Sequence, residues 1–127
     1  GSVWEGLMTA NKYNLDNLII IIDRNRLQIT GETENVNPLE PLKEKFTSFG
    51  LSVKEVNGNS VEDLINVFKE VPFENKKPNV IIANTIKGKG VSFIENEVVW
   101  HHKVPDDDQY TKAIDELNKQ KIQLEND

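Results

Sequence analysis

Five apolar residues stand in a row, Leu18-Ile19-Ile20-Ile21-Ile22, and run into Asp23. A second stretch, Asn79 to Thr85, is almost as rich in β-branched side chains. Runs that do not alternate in polarity read as strands buried on both faces, the pattern of a parallel sheet. A shorter strand is expected over Ser52 to Val56, which alternates and stops at Asn57-Gly58-Asn59. Helical patterns separate these runs. The first spans Ser2 to about Tyr13, with Ser2 as N-cap and Glu5 completing a capping box. The second covers Leu39 to Phe49, with Leu39, Leu42, Phe46 and Phe49 facing the core and Gly50 at its end. The third runs from a Ser60 cap to about Val71, with Glu62 and Asp63 in the first turn. A fourth starts at Asp106 to Asp108, reads Tyr110, Ala113, Ile114, Leu117, and fades into a charged tail from Lys119 to Asp127. Arg24 to Pro38 is polar and irregular. The alternation predicts an α/β fold, a parallel sheet with helices on both faces.

Composition narrows the function classes. At 127 residues the chain supports one domain with a modest core. With 37% hydrophobic and 28% charged residues it reads as soluble and globular, and no apolar run is long enough to span a membrane. The absence of cysteine excludes disulfides, a thiol nucleophile and cysteine-bound zinc. A net charge of −6 argues against a nucleic-acid binder. The chain opens within an amphipathic helix, with Trp4, Leu7 and Met8 at i, i+3 and i+4. Only three strands can be read from it, so further residues are expected upstream of Gly1.

In open α/β sheets ligands bind beyond the C-terminal ends of the strands, and two loops follow strand ends directly. One reads Asp23-Arg24-Asn25-Arg26-Leu27-Gln28-Ile29-Thr30-Gly31. Its Asp and Asn, with backbone carbonyls, suit a hard cation such as Mg²⁺. They equally suit a turn, the simpler reading from chemistry alone. The other loop holds Lys87-Gly88-Lys89-Gly90 and then Trp100-His101-His102-Lys103. Its glycines and lysines could approach phosphate but lack P-loop spacing, and a solvated turn reads equally well. The two histidines could contact phosphate or move protons, or could simply be solvated. Zinc is not expected, since no third ligand has suitable spacing.

Read together, these segments resemble the thiamine-diphosphate-binding domain of transketolases, above all the N-terminal subunit of two-subunit transketolases. The resemblance rests on Gly1-Ser2-Val3-Trp4-Glu5, Leu15-Asp16-Asn17-Leu18-Ile19, Asp23 to Ile29, Pro38 to Leu42, Phe49-Gly50, Lys87 to Phe93 and Trp100-His101. It covers nearly the whole chain in order, and no single motif in it is specific. It implies the C-terminal half of a thiamine-diphosphate-binding fold, residues 1–127 being a partial domain whose first half lies upstream.

The resemblance also implies roles. Asn25 matches a metal-ligating Asn, and Leu27 the residue whose carbonyl ligates two positions on. The metal would be Mg²⁺, or Ca²⁺. Ile29 falls where a side chain packs near the cofactor rings, and His101 where a histidine contacts the diphosphate and faces the substrate. Lys87 and Lys103 match positions that approach the cofactor in some relatives. Glu5 aligns with an interface glutamate near the cofactor sites, and Glu5 and His101 are the expected catalytic residues. The family usually has Gly where His102 stands. Its Gly-Asp-Gly metal ligand should precede Gly1.

The implied activity is transfer of a two-carbon ketol unit from a ketose phosphate to an aldose phosphate. A C-terminal subunit carrying the pyrimidine-binding domain is the expected partner, in a homo- or hetero-oligomer in the cytoplasm. This polypeptide alone is expected to be inactive. The polar fade-out at the C-terminus favours a split subunit over a truncated single chain. Alternatives are 1-deoxyxylulose-5-phosphate synthase, a non-catalytic α/β interaction module and a flavodoxin-like phosphoacceptor, the last a poor match with Asp23 alone.

Overall fold

The computed structural model describes residues 1–126. In chain order its elements are α1 (Ser2–Lys12), β1 (Ile19–Arg24), β2 (Leu27–Gln28), β3 (Gly31–Glu32), α2 (Thr33–Val36), α3 (Leu42–Ser48), β4 (Ser52–Asn57), α4 (Val61–Lys69), β5 (Asn79–Asn84), a 3-10 turn (Val98–His101) and α5 (Asp107–Asn126). They fall into two compact units, one of Gly1–Arg24 with Pro38–Thr85, the other of Asn25–Asn37 with Ile86 onward.

The first unit is a three-stranded sheet of order β1-β5-β4 with both pairings parallel. Asn79 aligns with Ile19 on one side and Ser52 on the other, so the three strands start in one row. Central β5 is the most buried strand, with Val80, Ile81 and Ile82 sealed from solvent. Around it pack Leu7 of α1, Leu42 and Phe46 of α3, and Leu51. Trp4 stacks on Phe46 at 5.4 Å between ring centroids, which fastens α1 to α3. Glu40 accepts two bonds from buried Arg24 and one from the Leu42 N–H, tying the end of β1 to the start of α3.

Several boundaries depart from the sequence reading. Ser2 lies inside α1 with Gly1 as N-cap, so no Ser2–Glu5 capping box forms. Helix α3 starts at Leu42 rather than Leu39, because Pro41 disfavours helical geometry at the residue before it. Its end is as expected: Gly50 takes φ +86, and an added Cβ would meet the Asn11 side chain at 2.4 Å. Among the described residues β1 lies at an edge of the three-stranded sheet, and Ile21 is 53% exposed there. The irregular stretch after Arg24 holds a small hairpin, β2 pairing antiparallel with β3. Strands this short leave no readable alternation.

The largest departure is α5, which continues through Asn126 where a frayed tail was expected; Asp127 lies outside the described residues. Asp106 and Gln109 cap the helix reciprocally, each side chain accepting the other's N–H at 2.9 and 3.1 Å. Lys119, Gln120, Lys121, Gln123, Leu124 and Glu125 are all good helix formers, and Lys121 pairs with Glu125 one turn on. Among the described residues of this second unit only Thr33 is buried, so polar contacts and a half-buried Phe93–Trp100 pair hold it.

Asn79 is fully buried, and its side chain makes three hydrogen bonds. Its Oδ1 accepts from the Phe73 N–H at 2.8 Å. Its Nδ2 donates to the carbonyls of Asp16 at 2.6 Å and Leu18 at 3.0 Å. An Asn79→Ala change leaves buried polar groups without these bonds, at a cost of about 2–4 kcal/mol. Urea unfolding should show that loss, and Asn79→Asp should do no better, since it sets acceptors against two carbonyls.

Candidate functional site

The second unit contains a cavity of about 260 Å³ lined by Asn25, Leu27, Gln28, Ile29, Lys87, Val98 and His101. Asn25 and Leu27 are placed by a tight local turn. The Asn25 Oδ1 accepts the Leu27 N–H at 2.9 Å, and Arg26 between them adopts φ +64. A left-handed arginine is an uncommon backbone state and carries strain. The hairpin fixes it from the other side, since the Thr33 N–H donates to the Arg26 carbonyl at 2.9 Å. This turn fixes the Asn25 amide oxygen, with one lone pair still free of the Leu27 N–H.

Lys87 and His101 come from the loop after β5. Asn96, itself at φ +58, donates its N–H to the Lys87 carbonyl at 3.0 Å. Glu95 braces the Lys87-Gly88-Lys89-Gly90 turn by accepting the Gly90 N–H at 3.0 Å and pairing with Lys89 at 3.3 Å. His101 ends the 3-10 turn. Trp100 beside it packs edge-on to Phe93 and donates its indole N–H to the Phe93 carbonyl at 3.1 Å. His102 stands edge-on to His101, with ring centroids 4.4 Å apart.

Chemically the lining divides into an oxygen donor at Asn25, cationic or proton-carrying groups at Lys87 and His101, and apolar Leu27, Ile29 and Val98. That set suits an anionic ligand carried with a hard cation. Among the described residues no group of three or more His, Asp or Glu side chains could hold a metal. A cation here would take few ligands from this chain and the rest from the anion, water or other protein groups. The volume falls below the ~300–1,000 Å³ of pockets that enclose a whole ligand, so the cavity suits one end of a larger molecule.

Residues 1–121 match the family described as transketolase, thiamine diphosphate binding domain. The chain belongs to that family. It is 48% identical over 128 residues to an apulose-4-phosphate transketolase subunit of Phocaeicola vulgatus, across 99% of this chain and 46% of that protein. It is 37% identical to the 6-deoxy-6-sulfo-D-fructose transketolase subunit SqwG of a Clostridium species, across 94% of this chain and 44% of that one. Among solved structures it resembles transketolase from Campylobacter jejuni, with a TM-score of 0.81 and 28% identity over 93% of this chain and 18% of that one. The chain thus spans less than half the length of these curated relatives.

Of the residues singled out from the sequence of this transketolase domain, Asn25, Leu27, Ile29, Lys87 and His101 line one cavity. Lys103 is not part of the lining, and its ammonium lies over the Trp100 ring at 4.6 Å. Glu5 belongs to the other unit and is exposed on α1. Gln28 and Val98 were not anticipated. Gln28 stands between two expected positions and was the more findable, whereas nothing in the sequence marks Val98. The larger hollow, about 520 Å³, is an open groove beside β4 and α4 where Lys54 pairs with Glu70.

No helix among the described residues is long and apolar enough to cross a membrane. The Gly90 N–H, followed by Lys89, holds the Glu95 carboxyl below its ordinary value of 4.5. A lowered folded value means the brace is complete above the ordinary carboxylate range and is lost as pH falls through the lower one. In a pH titration followed by NMR, the Gly90 amide should therefore hold its position at neutral pH and shift with a midpoint below that of an unperturbed glutamate.

Proposed function

We propose that this chain is the C-terminal half of the thiamine-diphosphate-binding domain in the cofactor-binding subunit of a two-subunit transketolase, a cytoplasmic enzyme. With thiamine diphosphate and a divalent cation, Mg²⁺ or Ca²⁺, that enzyme moves a two-carbon ketol unit from a ketose phosphate to an aldose phosphate. One observation carries the reading: the family resemblance names residues from two separate stretches of sequence, and five of them line one cavity. The relatives' names, each a transketolase subunit, support a partner chain, and the family resemblance makes that chain the carrier of the pyrimidine-binding domain. Their named substrates, apulose 4-phosphate and 6-deoxy-6-sulfofructose, make sugars with an anionic end group the first to try.

In this reading the Asn25 Oδ1 and the Leu27 carbonyl would hold the cation together with the ligand expected upstream of Gly1, leaving positions for the diphosphate. Lys87 offsets the remaining diphosphate charge, and Ile29 packs beside the cofactor rings. Bound thiamine diphosphate supplies the nucleophilic carbon and the electron sink for the ketol unit. His101 donates a hydrogen bond from an imidazole nitrogen to a substrate oxygen or takes its proton. In this scheme Glu5 serves the chemistry from the subunit contact, and Lys103 is a further cofactor-binding group.

Calorimetry on the full-length subunit mixed with its partner should find thiamine diphosphate binding that disappears when EDTA removes divalent cations. Asn25→Ala should weaken it about 10–100-fold, and unchanged affinity would sink the ligand assignment. His101→Ala should lower ketol transfer by about 10²–10⁴-fold with cofactor still bound. A wild-type rate in that variant removes His101 from the chemistry.

A further inference from the structure

The loop that carries Lys87 and His101 is fastened along one stripe of α5. Glu116 takes both donors of Ser92, the N–H on Oε2 at 2.6 Å and the hydroxyl on Oε1 at 2.7 Å. One turn later the Gln120 side chain donates to the Gly90 carbonyl at 2.7 Å. One turn earlier the Lys112 ammonium lies over the Phe93 ring at 5.1 Å. Positions 112, 116 and 120 repeat every four residues, so they share one helix face. Leu117 closes on Gly90, where an added Cβ would stand 3.4 Å from its Cδ2 at a backbone φ of +102.

Each anchor lies a short covalent step from the cavity. Ser92 precedes Phe93, whose carbonyl receives the Trp100 indole N–H, and Trp100 adjoins His101. Gly90 closes the turn that begins at Lys87, and Glu95 braces that turn from within the loop. None of Lys112, Glu116 or Gln120 lines the cavity. With almost no buried apolar side chain in this unit, hydrogen bonds to a charged carboxylate are the strongest fastening available to the loop.

We propose that Glu116 is a positioning residue: by holding Ser92 it fixes where Lys87 and His101 stand around the cavity. What the cavity holds rests on the cofactor reading given above; the placement itself does not. The two Ser92 donors keep the Glu116 carboxyl below its ordinary value, so it is the ionised carboxylate that grips the loop at neutral pH. Gln would retain one acceptor oxygen for one of the two donors, and Ala would retain none.

The test compares Glu116→Ala, Glu116→Gln and Ser92→Ala with Gln123→Ala, an exposed control on the same helix, in the full-length subunit. Backbone and indole NMR resonances of Gly90, Lys87, Trp100 and His101 are read without ligand, and Mg²⁺–thiamine diphosphate affinity is read with the partner subunit present. Glu116→Ala should move those resonances and weaken the affinity about tenfold, well below the melting temperature. Glu116→Gln should recover part of the loss, and Gln123→Ala should change neither. Ser92→Ala should add little to Glu116→Ala, because both remove one coupled contact.

Resonances of Lys87 and His101 that stay in place in Glu116→Ala overturn the proposal. So does unchanged cofactor affinity in a wild type that binds cofactor. If wild type binds no thiamine diphosphate, the cofactor reading falls, and the resonances alone then uphold or overturn the positioning role.

Discussion

The buried amide of Asn79 sets the start of the sheet. A carboxamide sealed from water must have its oxygen and both hydrogens matched, and here the matches come from Phe73, Asp16 and Leu18. Those partners fix both the turn that enters β1 and the segment that enters β5. Because Asn79 also pairs in register with Ile19 and Ser52, the requirement propagates along three parallel strands. Their far ends then fall in one row at Arg24, Asn57 and Asn84. Asp23 accepts the Thr85 hydroxyl there, so the chain leaves β1 and β5 from a braced edge. A one-residue slip would break the amide's bonds and exchange the side chains that β5 packs against each of its two covered faces.

The second unit works under the opposite constraint. It has a cavity but almost no buried apolar surface, so its loops are ordered by discrete polar contacts rather than by packing. Such contacts are individually modest and depend on geometry, which is why they come in pairs: Asn25 with Leu27, Glu95 with Gly90 and Lys89, Glu116 with both donors of Ser92. Regions held this way sit at the low-stability end of a protein and can adjust to a ligand. The strained Arg26 fits that account. Its left-handed backbone is held by bonds on either side, between two residues that both line the cavity.

This division explains what was legible in the sequence. Apolar patterns report packing, so β1, β4, β5 and α4 emerged within a residue or two of their observed bounds. The β-branched run of β1 says that the strand favours burial, and Ile21 on its outer side is uncovered within the three strands described. Polar fastenings leave no periodic trace. The Asp106–Gln109 cap and the Glu116–Ser92 bonds join residues that look like surface decoration, and the tail that seemed to fray is helix through Asn126. Site residues were findable only through family resemblance. By chemistry alone Asn25 was better read as a turn residue, and it is one: its amide oxygen accepts the Leu27 N–H, and the residue also lines the cavity.

The two readings of Asn25 are thus one device. A side-chain oxygen that binds a hard cation must be held still, because each freely rotating ligand loses entropy when it binds. The bond from the Leu27 N–H spends one lone pair of Oδ1 to fix the other and sets the direction of the neighbouring peptide at the same time. A turn of this kind supplies two oxygens at most, and no cluster of acidic or imidazole ligands accompanies it among the described residues. A cation bound this way stays open on its remaining faces, which suits one that must also grip phosphate oxygens, as Mg²⁺ does when protein and ligand share its shell. The two oxygens of this turn therefore suit a cation whose other positions are filled by an anionic ligand, water and protein groups outside the turn.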